Sequence, residues 1–332
     1  MSNLAANHEP QWIIPWTPEL FSEFEKRFCY DLIERLPELF LWANGQKVSQ
    51  VKWHYMELLQ QLFLENFAVP IQEWCRENEL LLTGHVFHED SLSSQAVPCG
   101  SVMRYYEHMD YPGVDVLTTT NRKYWIVKQL SSAARQLGKK WLLSELYGCS
   151  GWQATFDDYK KSGDWQSLFG INLRCPHLSW YTMKGQTKRD YPASILHQSA
   201  WHIEFSAIED YFSRLQLVMQ KGTAICEVLV ISPIESVWSQ IHPGWVNMHD
   251  AKDPDIIKLQ RDYEQLFNWL CKKHIDFDYG DENFIKRMGQ VEKQSGCPVL
   301  RIGQAMYQSV IVPPMTTIRS STLQLLEEFV SI

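Results

Sequence analysis

Hydrophobic residues recur at helical spacing along several stretches of this chain. The clearest stretch covers residues 51–78, where apolar side chains repeat with a helical period and predict one mostly helical segment. Pro70 has no amide hydrogen and is expected to kink or split that helix. Two more helices are predicted over residues 122–137, where Gly138 ends the first, and over residues 155–168.

Short continuous apolar runs separate these helices and predict buried strands, over residues 80–85, 114–117, 140–145 and 171–175. Strands that alternate with helices through short connections are typical of parallel sheets with crossover helices. In such folds the chemistry collects at the C-terminal ends of the strands. His85, Glu145 and His177 lie at or just beyond these ends. We therefore expect a functional site there.

The pattern changes after residue 215. A strand is predicted over residues 226–231 and an amphipathic helix over residues 255–273. Further strands are predicted over residues 275–279, 298–302 and 309–312, and a closing helix over residues 322–330. The chain is therefore predicted to contain two α/β domains, residues 1–220 and 221–332.

Composition and charge narrow the class of protein. The formal net charge is -8, and an acidic chain without a basic run is a poor candidate for binding nucleic acid or an anionic membrane. Apolar runs are too short to span a bilayer, and the first residues lack the pattern of a signal peptide. The 8 scattered cysteines are expected to be mostly reduced and buried. A cytoplasmic protein is the resulting prediction.

Glu145 directly follows an apolar strand, in the run Ser144-Glu145-Leu146-Tyr147-Gly148. A carboxylate at the mouth of a barrel strand is costly unless it is solvated or paired, so it is usually functional. A carboxylate that only holds a neighbouring Arg or Lys is the structural alternative. Hydrolysis of a glycosidic bond needs two carboxyl groups. Glu9, within a Glu-Pro pair near the terminus, is a candidate for the second only if it lies opposite Glu145.

Other candidates follow the same strands. His85 and Glu89 belong to a dense polar cluster, residues 84–90, that could bind a metal or sugar hydroxyls, although its spacing matches no specific zinc motif. Aromatic and polar residues that fit a sugar pocket follow the third and fourth strands. These are Trp152, His177, Tyr181 and Arg189, and core packing or a satisfied polar loop would explain any one of them.

Several separated motifs resemble the α-L-rhamnosidase-like glycoside hydrolases. They are the segments EPQW (9–12), IPWT (14–17), FCYDL (28–32), LPELF (36–40), TGH (83–85), MDYPGVD (109–115), SE (144–145), GW (151–152) and GQTKRDYP (185–192). The resemblance spans nearly the whole chain. It implies that Glu9 follows the fourth strand of a (β/α)8 barrel and Glu145 the seventh, so the four predicted strands would be the fifth to eighth.

The resemblance also implies properties beyond the two carboxylates. Residues from about 221 onward would form a class I amidotransferase-like α/β domain, of flavodoxin-like architecture, without amidotransferase chemistry. Cys226 and Cys297 fit this absence, because neither lies on the glycine-flanked turn that a nucleophile needs. Family members can use calcium near the active site, and His85 and Glu89 are the candidates for that region.

Two departures from the family pattern bear on activity. His8 precedes the Glu-Pro pair where the family has Asp, and the first three barrel strands with most of the fourth are missing. The chain is therefore expected to be a fragment, a truncated product or one piece of a split protein. A half-barrel would expose strand edges and apolar surface. It would call for a partner chain that supplies the other half, or for a homo-oligomer.

The sequence thus predicts an α/β fold: a partial (β/α)8 barrel, strands four or five to eight, followed by the amidotransferase-like domain. The predicted activity is hydrolysis of an O-glycosidic bond in a carbohydrate, with Glu9 as general acid and Glu145 as base or nucleophile. An inactive truncated homologue that binds carbohydrate or assembles with other chains is the main alternative. A metal-dependent hydrolase built on the His85 cluster is a third.

Overall fold

The protein is described by a computed structural model that covers residues 14–42, 45–189, 191–248 and 250–332. Glu9 lies outside these residues. The helices of the described part are α1 Leu20–Phe28, α2 Leu32–Arg35, α3 Pro37–Phe40, α4 Gln50–Phe63, α5 Val69–Glu77, α6 Leu92–Ala96, α7 Val102–Tyr106, α8 Tyr124–Leu137, α9 Phe156–Leu168, α10 Ser206–Met219, α11 Ile234–Trp238, α12 Pro254–Lys272, α13 Glu282–Met288 and α14 Ser320–Ser331.

The long helix predicted over residues 51–78 is present, but it is interrupted. Ser49 caps α4 by accepting a hydrogen bond from the amide of Val51. A π-helical turn, Leu64–Ala68, then separates α4 from α5. Pro70 lies in the first turn of α5, where the missing amide hydrogen costs least. The predicted split at Pro70 is therefore confirmed, and the wider turn before it accommodates the ring.

The strands are β1 Thr83–Gly84, β2 Tyr111–Val116, β3 Leu143–Leu146, β4 Leu173–Pro176, β5 Val228–Ile231, β6 Val246–Asn247, β7 Asp250–Ala251, β8 Asp278–Gly280, β9 Gly289–Gln294, β10 Cys297–Ile302, β11 Ala305–Tyr307 and β12 Ser309–Ile311. The first four form one sheet in the order β1-β2-β3-β4, and every neighbouring pair is parallel. Consecutive parallel strands with a helix between each pair are the repeat of a (β/α) barrel.

Local sequence explains the crossover helices of this sheet. Gly138 ends α8 in a left-handed conformation, with φ of 71°, that glycine adopts without strain. Thr155 begins α9 with a capping box, in which its hydroxyl accepts from the Asp158 amide while Asp158 accepts from the Thr155 amide. Both helices begin within two residues of their predicted first residues and end at the predicted last residues.

The two faces of this sheet differ in burial. Val114, Val116 and Leu146 are fully buried on one face. Asp115 and Glu145 alternate with them and lie on the other face, which is the interior face of a closed barrel. Side chains on that face remain partly open, and Cys175 in β4, the register partner of Glu145, is exposed. The sheet therefore has the form of an open half-barrel.

The second half of the chain contributes a two-stranded antiparallel sheet, β6-β7, and two sheets of three strands. One is parallel, with the order β12-β5-β8, and one is antiparallel, with the order β11-β10-β9. Strand β9 is absent from the sequence-based prediction because its residues, GQVEKQ, are mostly polar. A polar strand lacks the apolar signal on which the prediction depends.

A buried ionic network crosses the predicted boundary between the domains. The guanidinium of Arg104 contacts Glu57 at 2.7 Å, Glu235 at 2.5 Å and Asp281 at 2.9 Å, and all four side chains are at most 4% exposed. Arg319 contacts Glu57 and Glu235 as well. One hydrophobic cluster also joins residues of β2 and α8 with residues of β5. The division at residue 220 remains a prediction. No helix in the described part of the chain is long and apolar enough to cross a membrane.

Candidate functional site

The strand register brings two carboxyl groups together. Asp115 in β2 lies opposite Glu145 in the neighbouring strand β3, so both side chains emerge on the interior face of the half-barrel. His85 follows β1 directly. Ligand atoms of His85, Asp115 and Glu145 all lie within 4.8 Å of one another. The predicted convergence of polar groups at the C-terminal strand ends is thus present for His85 and Glu145.

A single hydrogen bond joins His85 to Glu145, with 2.9 Å between Nε2 and Oε2. The other ring nitrogen, Nδ1, lies 2.7 Å from the Val86 carbonyl oxygen. A carbonyl only accepts, so Nδ1 carries a hydrogen, and the contact with Glu145 holds one further proton. Burial alone would lower the pKa of His85, but the hydrogen bond to the Val86 carbonyl and the neighbouring carboxyl groups of Asp115 and Glu145 outweigh it and raise that pKa. One proton therefore lies between the imidazole of His85 and the carboxyl group of Glu145.

His177 lies on the opposite side of Glu145. It follows β4, and its Nε2 is 3.8 Å from Oε1 of Glu145. Its ring packs against the glycine of the loop after β3, because a Cβ on Gly148 would come within 2.9 Å of His177 Cδ2. Glu145 is thus flanked by two histidines, and its side chain keeps 26% of its surface exposed. A carboxylate in this position is held in place but still reachable by a ligand.

Asp115 also belongs to this cluster, but it is not among the residues that the sequence predicts at the ends of the strands. Its Oδ1 atom is buried, and it has no hydrogen-bond partner among the described residues. Burial, together with the negative charge of Glu145, raises the pKa of Asp115 to about 6 against the opposing effect of His85. The available signal was the alternation Val114-Asp115-Val116, which puts one charged residue on the interior face of an otherwise apolar strand.

Glu89 lies beneath the cluster rather than at its surface. Its side chain is buried, and its two oxygens accept hydrogen bonds from the Asp115 amide at 2.8 Å and the Tyr106 hydroxyl at 3.3 Å. Burial raises the pKa of Glu89 to about 8, although the Asp115 amide lowers it in part. The structure therefore gives Glu89 a supporting position under Asp115. This position differs from the direct sugar contact predicted from the sequence.

The predicted aromatic residues border the loops that follow β3 and β4. Trp152, half exposed, stacks on Trp180, with 5.0 Å between ring centroids and 3° between planes. Tyr181 is almost fully exposed, and Arg189 is exposed at the end of a 3-10 helix, Gly185–Arg189. Stacked indoles present a flat apolar surface of the kind that sugar rings bind. Contact between these residues and a sugar remains a prediction.

The described residues do not by themselves supply a calcium site. Calcium takes six to eight oxygen ligands. The cluster offers two carboxylates, Asp115 and Glu145, and one imidazole whose two nitrogens are already hydrogen-bonded. Glu89 is occupied by protein donors. The predicted calcium region at His85 and Glu89 therefore lacks a fitting donor set within the described part of the chain.

Comparison with known proteins identifies the family. The alpha-L-rhamnosidase family matches residues 12–246, which include all of β1 to β4 and the cluster at Glu145. This chain belongs to that family. The rhamnosidase-like resemblance carried by the sequence motifs is confirmed, and the cluster at Glu145 is a site on a glycoside hydrolase framework.

A curated relative agrees with a glycosidase. The "Putative beta-glucuronidase" of Formosa agariphila is 23% identical over 225 residues, covering 65% of this chain and 18% of its own length. This chain therefore spans less than a fifth of that relative. The sugar in the relative's name differs from that in the family's name.

Solved structures show the fold. The rhamnosidase from Novosphingobium sp. PP1Y superimposes over 95% of this chain with a TM-score of 0.68 and 18% identity. The β-galactosidase Gan42B of G. stearothermophilus covers 94% at a TM-score of 0.59 and 13% identity, and that of Rahnella sp. R3 covers 80% at 0.54 and 13%. This chain spans 29%, 47% and 42% of those chains. The predicted α/β fold with a partial barrel is confirmed.

Proposed function

We propose that this chain carries one catalytic carboxylate of a rhamnosidase-like glycosidase, and that Glu145 is that carboxylate. The observation that supports it best is the placement of Glu145 between His85 and His177 on the interior face of the sheet. The His85 ring, 2.9 Å away, holds the Glu145 carboxyl group in a fixed position, and both a general base and a nucleophile require such positioning. Family membership supports an O-glycosidic bond as the substrate.

The second carboxyl group in this proposal is Glu9, acting as general acid on the leaving oxygen. Hydrolysis with retention would place the two carboxyl groups about 5 Å apart, and inversion roughly 6.5–9.5 Å apart. Glu9 lies outside the described residues, so the choice between these outcomes belongs to product analysis. The anomer released first, read by NMR before mutarotation, distinguishes them.

Sugar binding in the proposal involves the side chains around the two catalytic groups. Trp152 supports the apolar face of a sugar ring, and His177 is close enough to Glu145 to contact the same ring. Tyr181 and Arg189 contribute from the loops beyond β4. An aryl α-L-rhamnoside is the first substrate to test, because the family is named for that sugar.

The test compares the purified chain with Glu145→Gln on p-nitrophenyl α-L-rhamnoside. The substitution keeps the shape of the side chain and removes its basicity, so we expect hydrolysis to fall by about 10²–10⁴-fold with an unchanged circular-dichroism spectrum. Glu65→Gln, an exposed carboxylate bound to Arg27, is the matched control. Equal rates for wild type and Glu145→Gln would remove Glu145 from the mechanism.

The proposal includes a second component that completes the barrel. Strands β1 and β4 are the two edges of the sheet, and the interior face between them is partly open. A closed barrel fills its interior with layers of side chains from all its strands. A complementary set of parallel β/α units would pair with both of these edges. In the proposal, a polypeptide that carries the other barrel half supplies these units. Residues 221–332 pack beside this half as the proposed amidotransferase-like domain.

The same open face supports the alternative, a non-catalytic module that binds carbohydrate or assembles with other chains. This candidate predicts that the wild-type chain hydrolyses no aryl glycoside while still binding the sugar. Ligand-observed NMR with methyl α-L-rhamnoside measures binding without turnover. Hydrolysis by the wild type would exclude this alternative.

A further inference from the structure

We infer that Asp115 determines specificity in this site by accepting a hydrogen bond from a hydroxyl group of the sugar bound at Glu145. The inference rests on the proposed function, because it assumes that a sugar binds beside Glu145. Asp115 is outside the pair of carboxyl groups assigned to acid and base, Glu9 and Glu145. It therefore adds a group for recognition rather than a third catalytic acid.

The position of Asp115 carries the first step of the argument. Its register partner in the adjacent strand is Glu145, and their carboxylate oxygens lie within 4.8 Å of each other. Two carboxyl groups this close together can both contact one sugar ring. A ring whose anomeric carbon reaches Glu145 therefore has its hydroxyl groups within reach of Asp115.

The second step is an unmet hydrogen-bonding requirement. Asp115 Oδ1 is buried and has no partner among the described residues, whereas most buried polar atoms in proteins have one. Asp115 as a residue is only partly buried, and it lies in a group with the partly exposed His85 and Glu145, so its carboxyl group borders the open face of the sheet. A carboxylate oxygen accepts only, so its missing partner is a donor. A sugar hydroxyl is a donor of that kind.

The third step is the rigidity of the acceptor. Strand β1 ends at Gly84, opposite Pro112, so Asp115 lies beyond the last pair of the β1–β2 ladder. In place of a β1 residue, the side chain of Glu89 accepts a hydrogen bond from the Asp115 amide at 2.8 Å. The Tyr106 hydroxyl donates a hydrogen bond to the other oxygen of Glu89. These contacts fix the backbone of Asp115 before the ligand arrives, which limits the freedom lost on binding and favours selective recognition.

Charge makes the site selective in a second way. Asp115 and Glu145 place two carboxyl groups together beside the ring of His85. Neutral sugars offer hydroxyl donors to this pair, whereas the carboxylate of a uronic acid would be repelled at short distance. Asp115 therefore favours a neutral sugar such as a rhamnoside over a glucuronide.

The experiment compares wild type with Asp115→Asn on methyl or aryl α-L-rhamnoside and on its 2-deoxy, 3-deoxy and 4-deoxy analogues. Asparagine keeps the shape but weakens the acceptor, so we expect kcat/KM on the parent sugar to fall about 10- to 100-fold. On the one analogue that lacks the contacted hydroxyl, the two proteins should differ less than 2-fold. Asp157→Asn, an exposed pair with Lys161, is the matched control.

Binding measured by ligand-observed NMR on the same analogues separates this inference from the proposed hydrolysis. Loss of affinity in Asp115→Asn that vanishes for one analogue supports the inference even if no protein turns over substrate. An equal loss on all three analogues, no loss on any, or no sugar binding by the wild type overturns it. Wild-type hydrolysis with an unaffected Asp115→Asn overturns the inference and leaves Glu145 in place.

A second readout uses charge. Asp115→Asn removes a negative charge, so the ratio of kcat/KM for an aryl rhamnoside to that for an aryl glucuronide should fall at least 10-fold. A purely structural role would lower both substrates together and leave the ratio unchanged, which would contradict the inference. A thermal midpoint equal to or above that of the wild type checks that the variant is folded.

Discussion

Glu89 is a carboxyl group that the fold keeps away from water, directly beneath the site. Burial raises its pKa to about 8, so it is protonated at neutral pH and contributes no charge below Asp115 and Glu145. In this form it still accepts the Asp115 amide, and the cluster above it keeps only two carboxylates. Its contribution is therefore to position Asp115 without adding a third negative charge.

This assignment predicts how stability depends on pH. The folded protein holds the Glu89 proton up to about pH 8, whereas the unfolded chain releases it near 4.5. The free energy of unfolding therefore falls as pH rises through that window, by up to about 1.36 kcal/mol per pH unit from this group. Glu89→Gln has no proton to lose, so its stability relative to wild type should increase steadily from pH 5 to pH 8.

Urea denaturation at several pH values measures this difference. Asp115 and His85 also have raised pKa values, and both contribute a slope of the same sign in wild type and variant alike. The difference between the two proteins therefore reports on the Glu89 proton together with the effect of Glu89 on His85. A difference that is constant with pH would mean that Glu89 is ionised in the folded protein at every pH tested.

At the scale of secondary-structure elements, the important feature is that β1 and β4 are both edge strands of the sheet formed by the described residues. An unpaired parallel edge exposes amide and carbonyl groups that another strand can bind. The interior face between the edges carries the catalytic candidate, Glu145, beside the exposed thiol of Cys175. Covering this face would enclose the site as well as pair the edges. The proposed complementary barrel half would supply both effects.

Cys175 offers a direct measurement of whether the face is open. In the isolated chain we expect iodoacetamide to alkylate Cys175 at a rate within about 10-fold of Cys297, which is also exposed, because burial raises the pKa of Cys175 and slows it modestly. Peptide mass mapping gives the rate at each cysteine. Protection of Cys175 at every protein concentration would contradict an open face. Protection that grows with concentration would assign the cover to a second copy of the chain.

At the scale of the whole molecule, the buried network around Arg104 joins distant parts of the chain. Glu57 comes from α4, Glu235 from α11, and Asp281 caps α13. Three buried carboxylates depend on two guanidinium groups, those of Arg104 and Arg319. Because the partners lie on both sides of residue 220, the network couples the two predicted domains.

Removing Arg104 should therefore destabilise the entire chain. Arg104→Met leaves buried carboxylates without a counter-ion, and we expect a loss of about 3–5 kcal/mol in the free energy of unfolding with a single transition for the whole protein. Differential scanning calorimetry and urea denaturation measure both quantities. Arg287→Met, which breaks an exposed pair with Glu107, should cost no more than about 1 kcal/mol. Two separate transitions, only one of them shifted, would show that residues 1–220 and 221–332 unfold independently.

The sequence alone determined the local structure and the family. Apolar spacing identified α8, α9, α12 and α14 and the strands of both parallel sheets, because amphipathic periodicity is a property of neighbouring residues. The separated motifs carried the rhamnosidase-like resemblance. Glu145 was found because its polarity interrupts an apolar strand at its end.

Only the tertiary structure decided how distant residues combine. The register of β2 with β3 pairs Asp115 with Glu145, and the loop after β1 turns His85 toward Glu145 and buries Glu89 beneath Asp115. The sequence also did not predict the polar strand β9 or the partners of Arg104. Pairing between residues that are far apart in the chain leaves no periodic signal in a single sequence. Periodicity reports which face of an element is apolar, but the side chains that meet on a face depend on register, and register is set by the packing of the whole chain.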